Sequence, residues 1–283
     1  PISGNAGFIP ENASVREMEV ISGTFNAEYG QAMSGVVNIV TQDGSSEMHG
    51  SLGVYLGDYF TNHTDLFLNL DKLNVSRTKN YQFSVSGPTY MMDNLSFFMT
   101  GRLLDEEGYL YGKRVYKITD TAPTFPNNND RSVFINNNTG DGAIVPMNPS
   151  RKYSFNGKLT YSFDALKLSY SGFIESSKWK NYDHSYKWTP DGIINQFSEN
   201  WVQNFQINHI ISNNTFQSLK FSLNKFTGKG YLYENPYDPR YVDPNRGAPI
   251  SNYTFRSGGN QGWRYENRSQ TLIGQWTFAS QLT

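Results

Sequence analysis

Tyr153-Ser154-Phe155-Asn156-Gly157-Lys158-Leu159-Thr160-Tyr161-Ser162-Phe163-Asp164-Ala165-Leu166-Lys167-Leu168-Ser169-Tyr170-Ser171-Gly172-Phe173-Ile174 is the stretch on which the fold turns. Its first half puts Tyr153, Phe155, Gly157, Leu159, Tyr161 and Phe163 on one face. Ser154, Asn156, Lys158, Thr160 and Ser162 fall on the other. A period of two residues is the signature of a strand with one apolar and one polar face. About 9–11 such residues cross a bilayer at a tilt, so the run has membrane-spanning length. Asp164 and Ala165 make a short reversal. Leu166, Leu168, Tyr170, Gly172 and Ile174 then alternate with Lys167, Ser169, Ser171 and Glu175, and Phe173 is the exception on the polar side.

The same pattern recurs on both sides. Leu52, Val54 and Leu56 open it. Tyr81, Phe83 and Val85 oppose Gln82, Ser84 and Ser86. Leu95, Phe97, Met99, Gly101 and Leu103 oppose Ser96, Thr100 and Arg102, with Phe98 mismatched. Trp201, Phe205, Ile207 and His209 oppose Asn204, Gln206 and Asn208. Leu219, Phe221 and Leu223 oppose Lys220, Ser222 and Asn224. Leu272, Trp276 and Phe278 oppose Thr271, Gln275 and Thr277. About eight strands are expected.

Short turns fall near Pro88–Asn94, Asp164 and Ser212–Asn214, and long segments near 57–79, 105–151, 176–198 and 228–267. Short connections on one side and long ones on the other are the wiring of an outer-membrane barrel. That reading puts the long loops outside the cell and the short turns in the periplasm. It turns Leu159 and Tyr161 to lipid, and Lys158 and Thr160 to the lumen. A soluble β-sandwich also alternates polar and apolar residues, but its strands are shorter and its connections seldom exceed about 15 residues.

Composition agrees. Charged residues are 17% and aromatics 15% of the 283 residues, with 19 Tyr and 19 Phe. The length bounds the chain to one or two domains. The formal net charge is −1 and there is no basic tract, which argues against a nucleic-acid partner. With no cysteine, disulfides, thiol nucleophiles and thiolate metal sites are excluded. Mean hydropathy is −0.58 and no apolar run reaches the length of a membrane helix. Barrel strands alternate lipid- and lumen-facing residues, so their mean hydropathy is low as well. The opening Pro1-Ile2-Ser3-Gly4 has no signal-peptide pattern, and both ends read as truncations.

Residues 15–44 carry a second pattern: Val15-Arg16-Glu17-Met18-Glu19-Val20, then Gly23, then Ala27-Glu28-Tyr29-Gly30, then Gly35-Val36-Val37-Asn38-Ile39-Val40-Thr41. Short apolar runs, Met18, Val20 and Ile21 and then Val36, Val37, Ile39 and Val40, suit strands buried inside a small plug. Gly23, Gly30 and Gly35 suit turns or close backbone approach. Asn38 within an apolar strand needs polar partners if buried. This block resembles the C-terminal part of the plug of TonB-dependent outer-membrane receptors. The likeness is nearest to those of Bacteroidetes type, which carry a carboxypeptidase-regulatory-like N-terminal domain. His49-Gly50-Ser51-Leu52-Gly53-Val54-Tyr55 resembles the passage into the first barrel strand. The strong motif covers about 40 residues; beyond it the likeness is one of strand and loop pattern.

The resemblance implies an all-β chain with the end of a plug in residues 1–47 and the first part of a barrel of about 22 strands in residues 48–283. It implies no cofactor, and energised import of a scarce nutrient: siderophore, oligosaccharide, peptide or cobalamin. The implied partners are outer-membrane lipid, the ligand, in some systems a surface lipoprotein, and a TonB-type energy transducer that grips a box upstream of Pro1. Plug-motif positions on this chain are Arg16, Glu17, Glu19, Gly23, Tyr29, Gly30, Gly35 and Asn38. Family plugs are held partly by arginines meeting barrel carboxylates, and Arg16 takes that place by position.

No catalytic pattern emerges. His49, His63, His184 and His209 share no metal-ligand spacing, and Gly258-Gly259-Asn260-Gln261-Gly262 precedes no helix that could hold a phosphate. The chain is not read as an enzyme. Tyr182, Tyr186 and Trp188 form one loop aromatic cluster; Tyr231, Tyr233, Tyr237, Tyr241, Trp263 and Tyr265 form another. Aromatics near strand ends fit a membrane-interface girdle. Tyr182, Tyr186, Trp188, Tyr237, Tyr241 and Trp263 are the candidates for ligand contact. Two other functions stay open on sequence: a secreted glycan-binding β-sandwich, and an outer-membrane barrel for adhesion or secretion.

Overall fold

The structure, a computed structural model, describes residues 14–21, 36–118, 120, 138–235, 238 and 265–280. The described chain is all-β apart from isolated single turns of 3-10 helix. Strands β1 (Val15–Ile21) and β2 (Val36–Thr41) pair antiparallel as a ribbon, with Val20 opposite Val37 and Met18 opposite Ile39. An eight-stranded sheet follows: β3 (His49–Gly57), β4 (Thr78–Pro88), β5 (Leu95–Glu106), β8 (Ser150–Phe163), β9 (Leu166–Trp179), β10 (Asn195–Ser212), β11 (Thr215–Tyr231) and β12 (Tyr265–Ser280). Between β5 and β8 lies a small hairpin of β6 (Tyr111–Lys113) and β7 (Ile144–Pro146).

Every neighbour in the large sheet is antiparallel, and neighbours in space follow chain order once the β6–β7 hairpin is set aside. The expected eight strands and short turns are present. Asn94 and Asp164 take positive φ of 62° and 42° at two of those turns. Asn and Asp tolerate this conformation because their short side chains bond locally. Strands β8 to β12 run 14 to 18 residues, longer than the alternation alone indicates.

Burial across the sheet is inverted relative to a water-soluble protein. On β8, Phe155 and Leu159 are 41% and 42% exposed, whereas Asn156 and Thr160 are each 4% exposed. Tyr81, Phe83, Met99, Tyr170, Ile174, Trp201, Phe205 and Phe221 are exposed on the same side as Leu159. The opposite face is a polar ladder. Ser222 Oγ donates to Asn204 Oδ1 at 2.7 Å, Ser218 Oγ to Asn208 Oδ1 at 2.8 Å, and the Ser177 and Ser198 hydroxyls meet at 3.0 Å. The two mismatched aromatics, Phe98 and Phe173, are buried on this polar face, with Val202 directly opposite Phe173.

Aromatic rings on the apolar face lie over glycines. A Cβ on Gly101 would run into the Phe83 ring, which sits directly opposite it on the next strand. Phe221 covers Gly274 in the same cross-strand way. A ring folded onto a glycine restores the contact that the missing side chain forfeits.

One expectation is corrected in the ribbon. Met18 and Val20, read as buried plug residues, are 63% and 64% exposed. A two-stranded ribbon buries a face only where something packs on it, and among the described residues nothing covers these two.

Candidate functional site

Two places gather chemistry, one at each end of the sheet. At the short-turn end, the segment leaving β2 crosses the polar face. Gly44 lies flat on the backbone of Ser96 and Phe97: a Cβ there would sit 2.5 Å from Phe97 N. Asp43, beside it, meets three cations. Lys158 Nζ of β8 is 2.6 Å from Asp43 Oδ1, Lys167 Nζ of β9 is 2.8 Å from Oδ2, and Arg16 of β1 is 3.6 Å from Oδ2. Oδ1 has no well-directed hydrogen bond, so its contact with Lys158 is an ion pair rather than a directional one. Lys158 also donates to the Thr41 carbonyl and hydroxyl at 3.3 Å. Partial burial pushes the Asp43 carboxyl up, but the two lysines outweigh it and hold the group below its ordinary range. Both lysines stand on the polar face because strand alternation puts them there.

At the long-connection end the loops are folded. The segment 58–77 closes around Arg77, which bonds both Asp58 oxygens at 2.8 and 2.9 Å. The Arg77 and Asp58 side chains are 4% and 0% exposed. Arg77 also donates to the carbonyl of Asn69, and its guanidinium lies over the Tyr111 ring at 5.9 Å. Burial and the neighbouring Glu107 push the Tyr111 phenol up to about 12.

The β6–β7 hairpin and residues 180–194 form a second knot. Arg114 pairs with Asp191 at 2.5 Å and Asp141 at 2.9 Å. These bonds, to Asp191 above all, raise the Arg114 guanidinium further still. Met147 is fully buried, with Pro190 packed against the same Gly112. Gly108 takes φ 79° and has no room for a Cβ beside Asn148. Asp120 accepts from Lys117 N and Thr139 N at 2.9 Å. Burial lowers the Lys180 ammonium, which donates to the Pro190 carbonyl at 3.4 Å.

The residues singled out on sequence are distributed as follows. Arg16 is half-exposed and meets Asp43 of its own segment, not a carboxylate of the sheet. Glu17 and Glu19 are exposed, and Glu19 stands opposite Asn38. Gly23, Tyr29, Gly30, Gly35, Tyr237, Tyr241 and Trp263 lie outside the described residues. Tyr186 and Trp188 serve the knot: the Tyr186 ring packs on Gly192, and the Trp188 carbonyl accepts from Val115 and Tyr116 amides at 3.0 Å. Tyr182 is exposed, with its hydroxyl 2.6 Å from His184 Nδ1. Sequence reasoning passed over Asp43, whose one local signal is the turn dipeptide Asp43-Gly44. It also passed over Arg114, for which no local signal exists.

No helix among the described residues is long and apolar enough to cross a membrane, which says nothing of a barrel. No family model matches the chain. The chain is 34% identical over 101 residues to the ferrienterobactin receptor of Escherichia coli K12, a match covering 35% of this chain and 12% of that protein. Among solved structures it resembles a mutant ferric enterobactin receptor from Pseudomonas aeruginosa, with a TM-score of 0.49 at 16% identity over 91% of this chain and 32% of the other. It also resembles the outer membrane transporter YddB from Escherichia coli, with a TM-score of 0.30 at 9% identity over 96% and 41%. The chain thus spans about an eighth of the length of the curated receptor it matches.

Proposed function

We propose that residues 48–283 form part of the wall of an outer-membrane barrel and residues 1–47 the end of its plug, in a TonB-dependent importer. The observation that carries this reading is the inverted sheet, with Phe155 and Leu159 exposed beside buried Asn156 and Thr160. In water such a surface would aggregate. In a bilayer it is the arrangement demanded by hydrocarbon outside and a wet lumen inside. The wiring agrees, with short turns at 89–94, 164–165 and 213–214 and long connections at the other end. So do the plug-like residues 15–44 and the likeness to the ferrienterobactin receptor.

On this reading the protein resides in the outer membrane, and its polar face lines the lumen. Asp43 ties the plug exit to the wall, through wall lysines rather than wall carboxylates. The folded long-connection end forms the mouth, where exposed Tyr182 is available to a ligand. A TonB-type protein pulls the plug, and the cargo is a scarce nutrient taken up against its gradient. A ferric siderophore is the first cargo to test, since the similar receptor is named for one.

The test uses the full-length protein in its host. The reading expects an outer-membrane, heat-modifiable species whose deletion abolishes growth on one ferric siderophore as sole iron source, with the same loss when the energy transducer is removed. Uptake that is unaffected by loss of the transducer would overturn the energised-import reading.

A further inference from the structure

The polar face carries its cations differently toward its two ends. Toward the long connections, Lys152 of β8 has a carboxylate of the sheet beside it, Glu175 of β9, at 2.7 Å. Toward the short turns this compensation stops. From β8 to β11, the three cross-strand rows that contain Lys158, Thr160 and Lys167 hold a third lysine, Lys220, and otherwise only Ser, Asn and Gln. No strand carboxylate stands among these lysines. The turn acids Asp93 and Asp164 lie outside the strands and are exposed. The formal net charge of the chain is −1, so the excess of cations is local.

Among the described residues, the carboxylate that does reach these lysines comes from the segment leaving β2. Lys158 Nζ meets Asp43 Oδ1 and Lys167 Nζ meets Oδ2, so two ammonium groups clamp one carboxylate by both oxygens. The clamp leaves capacity over. Lys220 lies two strands from Lys167, about 10 Å by strand spacing. It is exposed and has no ion pair among the described residues. The Thr160 hydroxyl, two residues after Lys158 on the same face, is buried without a hydrogen-bond partner. A buried hydroxyl left unpaired costs stability, and an anion larger than one aspartate would give it an acceptor. Solvent reaches the cluster, since the Lys167 and Arg16 side chains are 43% and 57% exposed.

We propose that Lys158, Lys167 and Thr160, with Lys220 beside them, form an anion site on the wall of the lumen, built for a carboxylate of the cargo and filled by Asp43 in its absence. This rests on the reading of the sheet as the wall of an importer. Asp43 is then an internal competitor. Lys158 and Lys167 take the carboxylate oxygens, Thr160 donates to a further oxygen, and Lys220 draws the rest of a polyanion toward the short-turn end. A cargo carboxylate that enters the clamp frees Asp43, and with it segment 41–48, from the wall. Passage of cargo and loosening of the plug exit become one event. The site favours a chelate that keeps free carboxylates over a neutral one.

The full-length protein, purified in detergent, is titrated with tricarballylate and with its neutral triamide. Calorimetry gives the affinities, and hydrogen exchange follows residues 41–48. Tricarballylate should speed exchange there in a saturable way. The triamide should not, nor should sodium chloride at matched ionic strength. Asp43→Asn removes the competitor and should tighten tricarballylate binding roughly fivefold or more. Adding Lys158→Gln and Lys167→Gln to it should weaken binding roughly tenfold or more, whereas adding Lys113→Gln, at the other end, should change nothing. Heat-modifiable mobility verifies that each variant is folded; Asp43→Asn/Lys220→Gln, with a smaller loss, serves if the triple variant is not. Binding no tighter in folded Asp43→Asn than in the parent, or chloride opening residues 41–48 as well as tricarballylate does, would overturn the anion site and leave the barrel reading standing. A protein that is monodisperse without detergent would overturn both.

Discussion

The two ends of the sheet are fastened differently. At the long-connection end Arg77 and Asp58 are sealed from solvent and bonded through two oxygens, and the second knot is organised around buried Met147. At the short-turn end Asp43 is held by Lys158, Lys167 and Arg16, whose side chains are 13%, 43% and 57% exposed. A sealed pair is costly to break, because the surviving charge is left in a poor medium. A half-wet pair is cheap to break, because water replaces the lost partner. The loop end is therefore the costlier to open, and the Asp43 contacts of segment 41–48 the cheaper.

The largest expected effect tests the sealed end. Asp58→Ala should cost the 58–77 segment about 3 kcal/mol of local stability. Limited trypsin digestion of the full-length protein should then cut after Arg77, which is buried in the parent. Unchanged protection would mean that the pair is not what closes this loop.

A second substitution tests the wall between the two ends. Leu159→Arg should destabilise the protein by about 2–4 kcal/mol if the site lies near the bilayer midplane, and Thr160→Arg by much less. Urea unfolding in lipid vesicles measures both. Equal losses would mean that the two faces do not meet different media.

The short-turn end should respond weakly. Asp43→Asn should cost about 1 kcal/mol, in keeping with partly solvated pairs. Hydrogen exchange should show faster opening of residues 41–48 and no change in residues 58–77. A change of the same size in both regions would erase the distinction between the two ends.

The smallest effect is one of pH. Asp43 is held below its ordinary range, so its contribution is complete above the unfolded carboxylate value of about 4 and is lost as pH falls through the folded value. Exchange protection at residues 41–48 should be flat from pH 7 to about pH 5 and decline below about pH 4. Asp43→Asn should abolish the decline, and a decline that persists in that variant would assign it to another group.

The strands were legible because their information is local. Tyr153 and Phe155 face one way and Ser154 and Asn156 the other by strand geometry alone, and Asp164 marks its own turn. Even Phe98 and Phe173, which break the alternation, kept the register that their neighbours set and became buried on the polar side. What was not legible depends on distance along the chain. The β6–β7 hairpin joins two three-residue strands 30 residues apart, too short to show a period. Asp43 looks like an ordinary turn acid until Lys158 and Lys167 come beside it. Arg16 stands 3.6 Å from Asp43, a partner 27 positions along the chain that no local pattern indicates. Tyr186 reads equally well as a ligand contact or as packing, and only a neighbour such as Gly192, under its ring, shows the packing.

The separation between Asp43 and Lys167 has a consequence for the order of assembly. The two are 124 residues apart in sequence, and the contact cannot exist until β3, β4, β5, β8 and β9 have been laid side by side. Closing so long a loop before those strands pair would cost entropy with nothing gained in return. The ion pair is thus a late event, and its formation reports that the first five strands have found their register. A chain slipped by one residue at β9 would point Lys167 out of the sheet's polar side and leave Asp43 with a weaker hold. The junction therefore doubles as a proofreading contact, able to distinguish a correctly threaded wall from one that is merely paired.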